Sequence, residues 1–290
     1  MMKWSKKIFA AAMTAILAIS AAGCGSTAVM DTAEVEALLA KSQETMAAVE
    51  SMAAEMTMEM NMALGDEVME TTSVANIQTK QEPLQMQMDL SVVMDDGSEM
   101  EQMQMYAEEV DGKLMTYMYS ADTWYAQTME LGDLGQYNAE QNMELYLNNI
   151  QSFKASGEET INGTKTTKIE GVITGEAMEK AIMDSGAADS AASMGVTEEQ
   201  LQAMYADMGD LPIAMWIDAE GYVLKYEMDL TEMMQKIVNA AMGAVGETET
   251  EDAISIAKAS VSMVCSDFNA VGEITIPVEA KSAEVLNLAE

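Results

Sequence analysis

The chain of 290 residues carries 49 acidic side chains against 14 lysines, with no arginine and no histidine, a net charge of −35 at neutral pH. That balance excludes nucleic acid as a partner, because phosphate neutralisation needs a basic patch, and excludes a polybasic contact with a lipid surface. Imidazole metal sites, histidine acid–base catalysis and Ser-His-Asp triads are impossible within the chain, and no arginine is present to clamp a carboxylate or phosphate.

The N-terminus reads as a targeting segment. Lys3, Lys6 and Lys7 precede an apolar run from Ile8 to Ala22, 15 residues that are too few to span a bilayer comfortably. Ala21-Ala22-Gly23-Cys24 resembles the bacterial lipobox, although Ala21 stands where leucine is commonest. The resemblance implies cleavage before Cys24, lipidation of Cys24, and an anchor on the outer face of the cytoplasmic membrane. Cleavage removes three lysines and no acid, leaving 11 lysines against 49 acids, a charge of −38. Cys265, the one other cysteine, lies in the apolar stretch VSMVCSDF and reads as a buried small hydrophobe. A disulfide framework is therefore ruled out.

Residues 24–30 read as a tether reaching roughly 15 Å, residues 31–280 as a single domain, and residues 281–290 as a tail. Asp31 to Met52 has helical spacing at Val35, Leu38, Leu39, Ser42, Met46, Val49 and Met52, with Asp31 and Glu34 as a capping pair. The period then becomes two. EMTMEMNM, residues 55–62, places Met56, Met58, Met60 and Met62 on one face of a strand. Leu84 to Met94 alternates in the same way, and Asp95-Asp96-Gly97-Ser98 is a turn. Met103, Met105 and Ala107 continue the alternation, and Met100 breaks its parity, which predicts a bulge near Glu101. Asp111-Gly112 signals a hairpin into Leu114–Tyr119, and Thr123–Met129 extends the meander.

Asn138 to Ile150 reads as a helix, Glu158 to Thr174 as a hairpin around Asn162-Gly163, and Glu176 to Asp184 as a helix. Ser185 to Gly195 is a run of small residues, and Thr197 to Met208 has a capping box. Leu211–Asp218 and Tyr222–Leu230 form a hairpin around Ala219-Glu220-Gly221, with Thr231 capping a helix to Ala244. After an acidic loop, Ala253–Phe268 and Glu273–Glu279 read as closing strands. The order of elements is α+β. It predicts a large curved antiparallel sheet, a half-barrel, with helices on its concave face.

With these parts in view, the chain resembles the lipoprotein-carrier fold of LolA, LolB and the LppX/LprG lipoproteins. It is more similar still to an uncharacterised family of exported lipoproteins with that fold. The helix running into SMAAEMTMEMNM, the strands QMQMDLSV and EMEQMQMY, Trp124 after its hairpin, WIDAEGYVLKYEMDLTEMM and GEITIPVEA carry the resemblance. It implies a half-barrel around an apolar cavity that takes acyl chains. The lid arginine of LolA has no counterpart here.

Three readings fit the methionine face. It is packed core, or a soft copper(I) site, or the wall of a ligand cavity whose contents vary in shape. The third names Met56, Met58, Met60, Met62, Met86, Met88, Met103, Met105, Tyr226 and Met228 as lining residues, with Trp124 and Trp216 at the rim. Asp95, Asp96 and Glu99, and Glu247 to Asp252, lack calcium-loop spacing, and no carboxylate pair is spaced for catalysis. The expectation is a membrane-anchored, non-enzymatic lipoprotein that needs no cofactor and binds a lipid-like ligand. The competing expectation is a structural lipoprotein with a filled core and an envelope protein as partner.

Overall fold

The computed structural model describes residues 30–65, 67–94, 99–129, 146–178, 209–244 and 254–286. Twelve strands form one sheet: β1 (Ser51–Leu64), β2 (Glu67–Gln81), β3 (Leu84–Met94), β4 (Glu99–Val110), β5 (Lys113–Ser120), β6 (Thr123–Met129), β7 (Ile150–Ile161), β8 (Thr164–Ile173), β9 (Leu211–Asp218), β10 (Val223–Asp229), β11 (Ile254–Ser266) and β12 (Val285–Leu286). Their order is β12-β6-β5-β4-β3-β2-β1-β11-β10-β9-β8-β7. Sequential strands pair because short turns join them. Asp111 and Gly112, and Asn162 and Gly163, all take positive φ, the backbone a two-residue hairpin of matching twist requires. Late in the chain, β11 inserts between β1 and β10 and welds two meanders into one curved antiparallel sheet.

Helices α1 (Thr32–Ala47), α2 (Thr231–Ala244) and the single turn α3 (Val278–Lys281) accompany the sheet, and residues 146–149 and 175–178 are helical as well. The Asp31 carboxylate accepts from the Glu34 N–H, and Glu34 accepts from the Asp31 N–H, so the expected capping box is present. The helix buries Val35, Leu39, Ser42 and Met46. Lys41 and Thr45 donate to the carbonyls of Ala219 and Glu220 in the β9–β10 turn. Gly221 in that turn has φ +96°, and an added Cβ would lie 2.7 Å from Thr45 Oγ1, so the close approach of helix and turn requires glycine.

Partners across a ladder share a face. Met56 pairs with Ala75 on one side and Met263 on the other; Ala75 pairs with Leu90, and Leu90 with Met103. The methionine face is therefore continuous across β4, β3, β2, β1 and β11. It packs on α1 in the main core, with Met52, Ile169, Met215, Ile217 and Cys265 among its most buried side chains. A second core lies on the opposite face, where Ile274, Ile276 and Ala280 cover Tyr106, Tyr117 and Ala126.

Several boundaries differ from expectation. α1 ends at Ala47, not Met52, because Glu50 donates to Asn269 Oδ1 and Asn269 donates to the Ser51 carbonyl, pinning the chain into β1. Val49 and Met52 are still buried. Residues 146–149 are helical as expected, and the helix stops one residue early because Ile150 opens β7. Residues 273–277 cross the opposite face without joining a ladder, and a helical turn follows Pro277, so no strand forms there. Residues 281–286, expected as a tail, finish the sheet edge: Val285 and Leu286 pair parallel with Ala126 and Gln127. Thr231 is the first helical residue of α2, and its hydroxyl bonds both backbone groups of Ala259. The predicted bulge is present, since Val92 pairs with Glu101 and Val93 with Glu99, leaving Met100 unmatched. The leader and Cys24, the 95–98 turn, and the readings over 138–145, 179–208 and 245–253 lie outside the described residues.

Candidate functional site: a methionine wall with one open end

Every proposed lining residue stands on the same face. On β1 the even positions run from Met52, 1% exposed, through Met56, Met58, Met60 and Met62, all half-buried, to the exposed hairpin tip at Leu64. β3 repeats the gradient from buried Met86 to half-buried Met88, Leu90, Val92 and Met94. On β4, Met105 is buried and Met103 half-buried. Between the β1 and β3 rows runs a lane of small side chains on β2: Thr71, Ser73 and Ala75. The lane was missed in the sequence because hydroxyls and one methyl carry no apolar alternation.

The wall thus has a closed end and an open end. Met86 and Met105 at that closed end, and Tyr226 and Met228 two strands across from Met56 and Met58, are each less than 9% exposed and packed among core neighbours. Tyr226 meets Tyr146 edge-on with centroids 5.5 Å apart. Burial pushes the Tyr146 hydroxyl up to about 12, the Tyr226 hydroxyl well above its ordinary value, and the Cys265 thiol up to about 12, which marks a dry interior. At the other end Met58, Met60, Met62, Val92, Met94 and Met103 present apolar surface that protein atoms only half cover. From Met52 to Met62, Thr71 to Thr79, Leu84 to Met94 and Met103 to Ala107, no side chain on this face bears a charge at neutral pH.

The charges collect on the other face. Lys258 lies 2.7 Å from Glu59 and holds its carboxyl below the usual range; Lys168 and Lys154 do the same for Glu170. Grooves of about 420 Å³, beside Glu55, Asn76 and Asp89, and about 590 Å³, beside Glu59, Lys168, Glu170 and Lys258, open on that charged face. Among the described residues, no group of three or more His, Cys, Asp and Glu side chains is placed to hold a metal ion.

The two rim tryptophans need correction. Trp124 pairs with Tyr119, and Trp216 with Lys225, positions whose parity turns both rings to the face opposite the methionines. Trp124 packs on Tyr106 and Tyr119 at centroid distances of 6.0 and 5.1 Å. Trp216 is 2% exposed, beneath the ammonium groups of Lys168 and Lys225, 5.0 and 4.7 Å from its ring centroid. Strand alternation, not ring chemistry, sets the direction of each.

The family profile described as "Family of unknown function (DUF6612)" matches residues 34–285. Among curated proteins none matches the sequence. The solved structure of the lipoprotein LppX from Mycobacterium tuberculosis is similar at 14% identity and a TM-score of 0.44, covering 83% of this chain and 99% of that one. LprF from Mycobacterium bovis is similar at 14% identity and 0.46, covering 88% and 100%. A LolA superfamily protein from Nitrosomonas europaea is similar at 9% identity and 0.24, covering 82% and 94%.

Proposed function

We propose a function from one premise, that the chain belongs to the DUF6612 family of unknown function: it is an extracytoplasmic lipoprotein, anchored through Cys24, that holds a lipid-like ligand on its methionine wall and catalyses no reaction. The observation that carries the reading is the uncharged, half-covered apolar surface of β1, β3 and β4 flanking the lane on β2. Apolar patches of this continuity are rarely left open on a protein with no use for them. Burying an acyl chain there stabilises the complex by roughly 0.8 kcal/mol per methylene. Thioethers suit the task because three rotatable bonds let one wall follow chains of different shape. The Lys3–Cys24 leader supports export and anchoring.

The buried part of the wall favours a second reading for its own residues. Met86, Met105, Tyr226 and Met228 act as core, which is the structural alternative confined to half of the wall. Residues 25–290, which contain every described element, decide between them. Native mass spectrometry followed by solvent extraction should reveal a stoichiometric adduct of lipid mass. A bare mass, with no uptake of added phospholipid or fatty acid, would return the whole wall to packing and overturn the reading.

A further inference from the structure

Strand positions favour β-branched and aromatic side chains, yet β1 carries methionine at 56, 58, 60 and 62. All four are half-buried, so tight packing does not demand a flexible thioether there. Met62 faces Met69, 47% exposed, across the β1–β2 hairpin. The same protein hides other methionines: Met46, Met52 and Met215 are each at most 3% exposed. Among the described residues, the usual competitors for an oxidant are buried, lie on the opposite face as Trp124 and Trp216 do, or are missing. Cys265 is 1% exposed, Trp216 is 2% exposed, and there is no histidine. Among the described residues, an oxidant arriving at this face meets thioether sulfur before any other easily oxidised group.

We propose that Met56, Met58, Met60, Met62 and Met69 form a site of two-electron oxidation by hydrogen peroxide or hypochlorous acid, which consumes oxidant while the sheet stays folded. The sulfur lone pair attacks a peroxide oxygen, the O–O bond breaks, the S–O bond forms, and water leaves after proton transfer. Sulfur is oxidised by two electrons and peroxide is reduced by two. With hypochlorous acid the products are sulfoxide, chloride and a proton. Half-burial makes the position suitable, because the new S–O dipole can be hydrated where it forms, whereas a sulfoxide at Met52 would sit unsolvated in the core. A polar wall also repels an apolar chain, so oxidation releases ligand; this consequence rests on the lipid reading above.

The test treats residues 25–290 with limiting hydrogen peroxide and maps sulfoxides by Glu-C digestion and mass spectrometry. Sulfoxide should form at the five outer positions at least tenfold faster than at Met46, Met52 and Met215, with the β-sheet circular dichroism unchanged. Met58→Leu, Met60→Leu and Met62→Leu together should lower the oxidant consumed before unfolding by about three equivalents per chain. Equal rates at outer and buried methionines, or undiminished consumption by the triple variant, would overturn the proposal. A pyrene-labelled fatty acid separates the two claims. Binding that weakens at least tenfold after oxidation supports release, and binding unchanged by oxidation removes release. No binding before oxidation sinks the lipid reading and leaves the order of sulfoxide formation to decide the oxidation site alone.

Discussion

Met58 on β1 stands directly opposite Ser73 on β2, a long thioether beside a hydroxymethyl group. The same contrast recurs where Met60 faces Thr71 and Met56 faces Ala75, so the row borders a shallow trough along the strand direction. Filling that trough should displace a ligand. Ser73→Leu adds apolar volume at a half-buried position, so folding stability should hold or rise by about 1 kcal/mol. Lipid adduct in native mass spectra should fall at least tenfold. Asn76→Leu, exposed on the opposite face, serves as the control and should leave uptake unchanged. Uptake that survives Ser73→Leu places the ligand elsewhere.

Truncation should separate the buried part of the methionine face from its half-covered part. Met215 is 0% exposed, so Met215→Ala leaves a cavity and should cost about 2–5 kcal/mol in urea unfolding. Met58 is half-buried, so Met58→Ala removes less contact and should cost under about 1 kcal/mol. Equal losses would mean that Met58 is core and that no surface is left for a ligand.

The strands legible in the sequence were those that alternate large apolar with polar side chains. β1, β3 and β6 fall where alternation places them, and the Asp111-Gly112 and Asn162-Gly163 turns were readable from backbone chemistry alone. β2 was passed over, since its wall-facing residues include Thr71, Ser73, Ala75 and Thr79, too small or polar to mark a face. Yet β2 is what joins the two methionine rows into one surface. The end of α1 was misplaced because Val49 and Met52 extend the helical spacing by coincidence while Asn269, more than 200 residues away, holds the strand start. Which half of the wall is packed was not legible either, since Met86 and Met88 look alike until the neighbouring elements are in place.

Alkaline pH should destabilise the fold through groups that the interior keeps protonated. Burial raises Cys265 from 9.0 to about 12 and Tyr146 from 10.0 to about 12. Below pH 9 both groups carry their proton in both states and the stability they contribute is complete. Above it the unfolded chain releases protons that the folded chain retains, so stability falls as pH rises through 9 to 12. The slope approaches about 1.4 kcal/mol per pH unit for each such group. Urea midpoints measured between pH 8 and 10.5 should decline, and Cys265→Ala should shallow the first part of the decline. The native thiol should also resist a disulfide reagent at pH 8. Labelling as fast as free cysteine would show that the site is open.

The C-terminal segment offers a test that keeps the two faces apart. Ile276, 6% exposed, packs with Ile274 in the second core against Tyr106 and Tyr117. Ile276→Asp buries a carboxylate in that core and should cost about 3 kcal/mol or more. Lys281 lies 3.0 Å from a Glu108 oxygen, but its side chain is 48% exposed, so Lys281→Ala should cost under about 1 kcal/mol. Neither change touches the methionine face. Each variant, studied well below its unfolding midpoint, should therefore bind lipid as the parent does. If Lys281→Ala abolished uptake while remaining folded, the ligand would belong to the face beneath this segment. If Ile276→Asp were as mild as Lys281→Ala, the segment would not be docked on β4–β6 at all.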